Sequence, residues 1–211
     1  MAFRRRQSTP EKQASTTITQ QRIKSRLLPK LFADIDERQH IQVLDLGAGS
    51  NATLSFFGQL GTATKITFAD TLDLCDELAP LTDQAPFDFI HAVQTWQRHL
   101  GLQPQDQIDY LLMWDYLHYF EPGIIEALST ALQPHVHRES RGYGFGSLHS
   151  GKPIRGGVYA IRDENSVAVT PEPMTLPHAH SQQVIADNFI CMHITSGTLL
   201  REGHLELLFE A

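Results

Sequence analysis

The residues whose types and spacing could do chemistry are carboxylates set beside glycine turns. In VLDLGAGSN, residues 43–51, Asp45 interrupts an apolar run that ends in Gly47 and Gly49, with Asn51 two positions on. Glycine at such a turn lets backbone amides approach a ligand with no Cβ in the way. An ionised carboxylate beside it is a strong hydrogen-bond acceptor. Asp70 closes a second apolar run, KITFAD, and Trp114, Asp115 and His118 stand close together in MWDYLHYF. His118 carries the side chain suited to general-base work near neutral pH. Each also has a plainer role: Asp45 can simply satisfy amides of its own turn, and His118 can pack on the helix after its strand.

Such residues act together only if regular elements bring them to one edge. The spacing of Ile23, Leu27, Leu28 and Leu31 predicts an amphipathic helix from Ile18. IQVLDL reads as a strand covered on both faces, followed by a helix over residues 52–60 with Gly61 in the C-cap position. KITFAD is a second strand, LDLCDELAPL a short helix, FDFIHAV a third strand, and IDYLLMW a fourth. A helix then carries Ile124, Ile125, Leu128 and Leu132 on one face. The pattern weakens past Pro134, through a Gly/His/Arg-rich stretch, GGVYAIRD, SVAVT and a Pro-rich loop at 171–177. The ending, from Phe189, reads as two strands joined by a turn.

This order predicts an α/β fold: a doubly wound, mostly parallel sheet with helices on both faces and an antiparallel C-terminal strand pair. Residues 1–17 are polar and without hydrophobic period, which predicts a mobile tail ahead of a single domain over residues 18–211.

In an open α/β sheet, ligands bind beyond the carboxyl ends of the strands, where these carboxylates fall. The arrangement resembles the class I S-adenosylmethionine-dependent methyltransferases, whose motif I sets an acid in strand one before Gly-x-Gly-x-Gly; Asp45, Gly47 and Gly49 match it. Asn51 replaces the third glycine, at a position expected to need a backbone conformation that Asn reaches more readily than most residues. Asp70 lies where the family's second-strand acid meets the ribose hydroxyls of the cofactor, and MWDYLHYF resembles the turn after the fourth strand. The resemblance spans roughly residues 43–132. It implies S-adenosyl-L-methionine as cofactor, held by Asp45, Gly47, Gly49, Asn51, Asp70 and Trp114, with Gln94 past the third strand at the adenine edge. Asp115 and His118 are then the catalytic candidates on the substrate side.

Other patterns compete. Ala52 three residues after Gly49 also satisfies a dinucleotide-binding turn, so an NAD(P)-dependent oxidoreductase is an alternative. A non-catalytic module of the same fold, serving as an interaction partner, is another. GSLHSGKP nearly spells a phosphate loop, but Pro153 stands where a magnesium-binding Ser or Thr belongs. Lys152 and Arg155 are candidates for contact with an anionic substrate. The pairs His135/His137 and His178/His180 lack an evident third metal ligand, and the Asn/Asp-Pro-Pro-Tyr motif of amino-methylating nucleic-acid enzymes is absent.

Composition bounds the partners. The 211 residues are 41% apolar and 19% charged, as in ordinary globular proteins, with a formal charge of −7. That charge argues against a broad nucleic-acid surface, which relies on Lys and Arg. Cys75 and Cys191 are too few for a disulfide framework and are expected to be buried apolar residues in a cytoplasmic protein. The basic start, MAFRRRQSTPEKQAS, has no apolar stretch after it, so neither a secretory signal nor an anchor is expected. No segment reaches the roughly 18 apolar residues of a membrane helix. The expected substrate is a small molecule or a protein side chain.

Overall fold

The computed structural model describes residues 20–35, 40–82, 86–148, 155–200 and 204–211. Strand β1 (Gln21–Lys24) and the one-turn helix α1 (Leu28–Leu31) precede β2 (His40–Asp45), α2 (Asn51–Gln59) and β3 (Ala63–Phe68). A 3-10 turn (Thr71–Leu74) runs into α3 (Cys75–Thr82), and α4 (Phe89–Leu100) leads to β4 (Ile108–Trp114). A second 3-10 turn (Tyr116–Tyr119) precedes α5 (Pro122–Leu132) and β5 (Val136–Gly146). The hairpin β6 (Arg155–Asp163) and β7 (Ser166–Thr175), helix α6 (Gln182–Asn188), β8 (His193–Leu199) and β9 (Leu205–Glu210) complete the chain.

Among the described residues, six strands form the central sheet in the order β3-β2-β4-β5-β9-β8. The first four are parallel; β9 runs antiparallel to β5 and pairs antiparallel with β8, the strand pair expected for the ending. Val43, Leu44, Leu111 and Leu112 are fully buried because parallel strands at the centre of such a sheet are covered on both faces. Helix α2 begins where Ser50 Oγ accepts from Thr53 N at 3.0 Å, and Gly61 follows its end at φ +72. Helix α5 buries Ile124, Ile125, Leu128 and Leu132, the face read from the sequence.

The expected third strand, FDFIHAV, is helical instead. Asp88 caps α4 by accepting from His91 N at 2.9 Å, and Ala92, Trp96 and Leu100, at a spacing of four, are buried. Trp96 Nε1 donates to Ile124 O at 3.1 Å, which ties α4 to α5. The alternation at Phe87 and Phe89 imitates a strand over too short a window, and the longer helical period decides. Strand β3 is consequently the edge of the sheet.

The helix expected from Ile18 is also corrected. Residues 20–24 include β1, which pairs antiparallel with β7 through Ile23 opposite Val167. Ile23, Leu27, Leu28 and Leu31 are all buried, but only the last two share a helix. The partner strand lies some 140 residues away in sequence, and no local period reveals it. Strands β1, β7 and β6 form a separate three-stranded antiparallel sheet, joined to α2 where Ile161 N donates to Thr53 Oγ1 at 3.1 Å. The expected tail at 1–17 and Lys152 lie outside the described residues, as does the side chain of Arg155.

Candidate functional site

Asp45 ends β2 with its side chain 1% exposed. Its Oδ1 accepts from Gly47 N at 2.9 Å and from Trp114 Nε1 at 2.7 Å. Burial pushes its pKa up to about 6 against the pull of those two donors, and the nearby Asp70 charge pushes the same way. The carboxylate therefore does satisfy its own turn, and it also holds an indole from the neighbouring strand.

Packing is tight at both glycines. A Cβ on Gly47 would stand 3.1 Å from Asp45 Oδ1 and 3.3 Å from the Tyr116 hydroxyl. Gly49 has φ +80, and a Cβ there would meet the Phe68 ring at 2.9 Å. Asn51 is the first residue of α2, and the one described non-glycine residue at positive φ is Trp114, so the special backbone conformation expected of Asn51 is not used. Ser50 makes the helix cap instead.

Asp70 stands two residues past β3, half-buried, with Oδ1 accepting from Leu72 N at 3.2 Å to start the 3-10 turn. A hollow of about 260 Å³ is lined by Cys75 and Asp76 at the start of α3 and by Tyr119. Leu78, Phe120, Ile124 and Pro177 give it apolar walls, and Asp76 and Glu121 place carboxylates at it. Gln94 is exposed on α4, which removes the strand end at which it was expected.

Trp114 ends β4 at φ 49, where the pairing with β5 shifts register. An irregularity of this kind re-aims a side chain; here the indole is 1% exposed and points its N–H at Asp45. Asp115 follows, also 1% exposed, with Oδ2 accepting from Tyr159 OH at 2.8 Å. Burial drives its pKa up to about 7 although that hydrogen bond opposes the shift.

His118 is 1% exposed and receives the backbone N–H of His180 on Nδ1 at 3.1 Å. Burial, with His180 beside it, lowers its pKa to about 3. Its ring stacks on His180 at 5.7 Å, and His180 on His178 at 5.3 Å. The lone-pair nitrogen of the neutral ring is thus engaged, which makes His118 a post for the segment 176–181 and removes it as a general base. His135 and His137 lie apart from this stack, on Asp106 O and Asp109. Both thiols are partly buried, and burial raises each to about 11.

Sequence reasoning missed what the β6–β7 hairpin supplies. Tyr159 stacks on Trp114 at 5.5 Å and 7° between planes, and Glu172 accepts from Tyr119 OH at 3.4 Å. The signal was present: two β-branched runs flank the two residues Glu164 and Asn165, a hairpin spacing.

No protein-family model matches the sequence, and no curated protein is significantly similar to it. Among solved structures, 1,6-didemethyltoxoflavin-N1-methyltransferase of Burkholderia thailandensis, with 1,6-didemethyltoxoflavin and S-adenosylhomocysteine bound, superposes at a TM-score of 0.50. Its sequence is 14% identical, and the match covers 87% of this chain and 75% of that one. The mitomycin 7-O-methyltransferase MmcR gives 0.47 at 12% identity, over 87% of this chain and 52% of that one. The glycopeptide N-methyltransferase MtfA, complexed with S-adenosyl-L-methionine, gives 0.45 at 10% identity over 87% and 93%. The first likeness establishes the fold expected from the sequence, that of the class I methyltransferases.

Proposed function

We propose that this protein binds S-adenosylmethionine at the carboxyl ends of β2 and β3 and transfers a methyl group to a small molecule or a protein side chain. The observation that carries the reading is the pair Asp45 and Asp70, which close adjacent parallel strands on either side of the glycine turn. They are near enough for the charge of one to raise the pKa of the other.

The residues present fit such a cofactor on the ribose side. Asp70 commits Oδ1 to Leu72, which leaves Oδ2 for ribose hydroxyls. The hollow lined by Cys75, Asp76, Tyr119 and Glu121 is large enough for a purine, and its carboxylates accept from an exocyclic amine. Toward β4, Tyr116 OH stands beside Gly47, buried and without a partner among the described residues, an orphaned polar atom that a ligand there would satisfy. Asp45 orients the turn and helps hold the methionine amino group, directly or through water.

Bound there, the cofactor supplies a methyl group already activated by its sulfonium. What remains for the chain is to orient the acceptor and exclude water. Trp114, Tyr116 and Tyr119, all buried, line the turn after β4 and keep water out. Asp115, with a pKa near neutrality, is suited to take a proton from the acceptor.

A second reading is supported by the same contacts. Because Trp114 and Tyr116 already pack on Asp45 and Gly47, a module that binds nucleosides without turnover accounts for the closed side of the crevice.

Calorimetric titration with S-adenosylhomocysteine, with NADH as the comparison ligand, tests the reading. Micromolar binding of the first alone supports it, and turnover of S-adenosylmethionine with an acceptor then separates enzyme from module. Binding of NADH alone, or of neither ligand, removes it.

A further inference from the structure

The turn after β4 and the β6–β7 hairpin together enclose a polar cluster that has no countercharge among the described residues. Tyr159 OH donates to Asp115 Oδ2 at 2.8 Å and Tyr119 OH to Glu172 Oε2 at 3.4 Å. The two carboxylates lie close enough for Glu172 to raise the pKa of Asp115. Around them stand two stacked pairs of rings: Trp114 on Tyr159 at 5.5 Å, and Tyr116 on Tyr119 at 5.8 Å. Glu172 is half-buried, and through Tyr119 the cluster adjoins the hollow lined by Cys75, Asp76 and Glu121.

Two atoms of the cluster lack a partner among the described residues. Asp115 Oδ1 and Tyr116 OH are buried without a hydrogen bond, each on a residue 1% exposed. Of the buried unpartnered side-chain atoms among the described residues, these two are consecutive in sequence. The ion pairs of the described residues involve neither Asp115 nor Glu172. A buried carboxylate that has no cation and leaves one oxygen without a donor is costly, and native proteins keep few such groups without a reason. An incoming ammonium brings the missing positive charge and the missing donors at once. Aromatic faces also attract cations, whereas an anion would be repelled by both carboxylates.

We propose that this cluster is a cation site and that the methyl acceptor is an amine, bound as its ammonium ion between Asp115 and Glu172. The word acceptor rests on the methyltransferase reading above; the cation site does not. Asp115 takes one proton from the ammonium and becomes the neutral acid. The amine is left uncharged with its lone pair free.

The test is calorimetric titration of the full chain with benzylamine and with phenylacetate, a ring of the same size bearing the opposite charge. Each is run with and without S-adenosylhomocysteine, in two buffers of different ionisation enthalpy. Benzylammonium is expected to bind at least tenfold more tightly than phenylacetate, and to release protons near neutral pH because a bound cation lowers the Asp115 pKa. D115N is expected to abolish the proton release and E172Q to weaken benzylammonium tenfold, with S-adenosylhomocysteine affinity unchanged in E172Q. E172Q alters a half-buried residue and decides the matter should D115N not fold. Equal binding of the two probes, no binding of benzylammonium, or selectivity unchanged in E172Q overturns the proposal. Cation-selective binding without S-adenosylhomocysteine affinity refutes the methyltransferase reading and leaves the cation site standing; the reverse pattern refutes the cation site alone.

Discussion

Trp114 and Asp45, 69 positions apart, are joined by a hydrogen bond of 2.7 Å from the indole Nε1 to Oδ1. The bond crosses from β4 to the end of β2 and holds the indole over the glycine turn. It also accounts for the positive φ of Trp114, since backbone strain persists where surrounding contacts over-determine it. In W114F the donor is lost while most of the ring volume remains. Asp45 then keeps one donor, its pKa rises further above about 6, and stability falls by about 1 to 3 kcal/mol. Urea denaturation of the two proteins measures this; equal midpoints would show that the bond contributes nothing net.

Asp70 is the acid whose role depends most on a ligand. D70A is expected to weaken S-adenosylhomocysteine by about 1.5 to 3 kcal/mol through lost hydrogen bonds to a charged group. Loss of the cap on Leu72 N costs about 1 kcal/mol of stability in addition. A folded D70A with wild-type affinity would take Asp70 out of the site.

The glycines separate packing from helix propensity. At Gly49 both φ +80 and the 2.9 Å approach of Phe68 oppose a side chain, so G49A is expected to lose about 1 to 3 kcal/mol. Gly58 lies inside α2 with nothing within 4 Å of a Cβ, so G58A should gain about 0.5 to 1 kcal/mol. Thermal melts of both variants check the contrast, and a shift of the same sign in both would contradict it.

The buried ionisable groups give stability a dependence on pH with two opposing parts. Asp45 and Asp115 have folded pKa values raised to about 6 and about 7, so the folded state binds more protons than the unfolded one, and stability falls as pH rises from about 4 to 7. His118, lowered to about 3, acts in the opposite sense: its contribution is present above the unfolded value and is lost as pH falls from about 6.5 to 3. D115N removes one part cleanly. Its melting temperature should match the wild type near pH 4 and exceed it above pH 7 by about 5 °C or more, each kcal/mol being worth about 2 to 4 °C in a chain of this size. A gap that is constant across pH would mean that Asp115 ionises freely in the folded protein.

What the sequence determined by itself is what rests on short-range pattern. The apolar runs ending in Asp45, near Asp70 and in Trp114 marked three parallel strands, and the spacing of Ile124, Ile125, Leu128 and Leu132 marked α5. Because side-chain period and glycine turns are local properties, those elements and the two strand-end acids were readable before folding. Three matters were settled only by tertiary structure. FDFIHAV became helix because Trp96 and Leu100, beyond the window that resembled a strand, find a buried face against α5. Gln21–Lys24 became strand because its partner is β7, far along the chain. Asp115 became a buried acid facing tyrosines because the β6–β7 hairpin brings Tyr159 and Glu172 to the turn after β4. Burial, hydrogen-bond partners and pKa depend on which distant segments meet, and those meetings are fixed by packing the whole core rather than by the pattern of any one stretch.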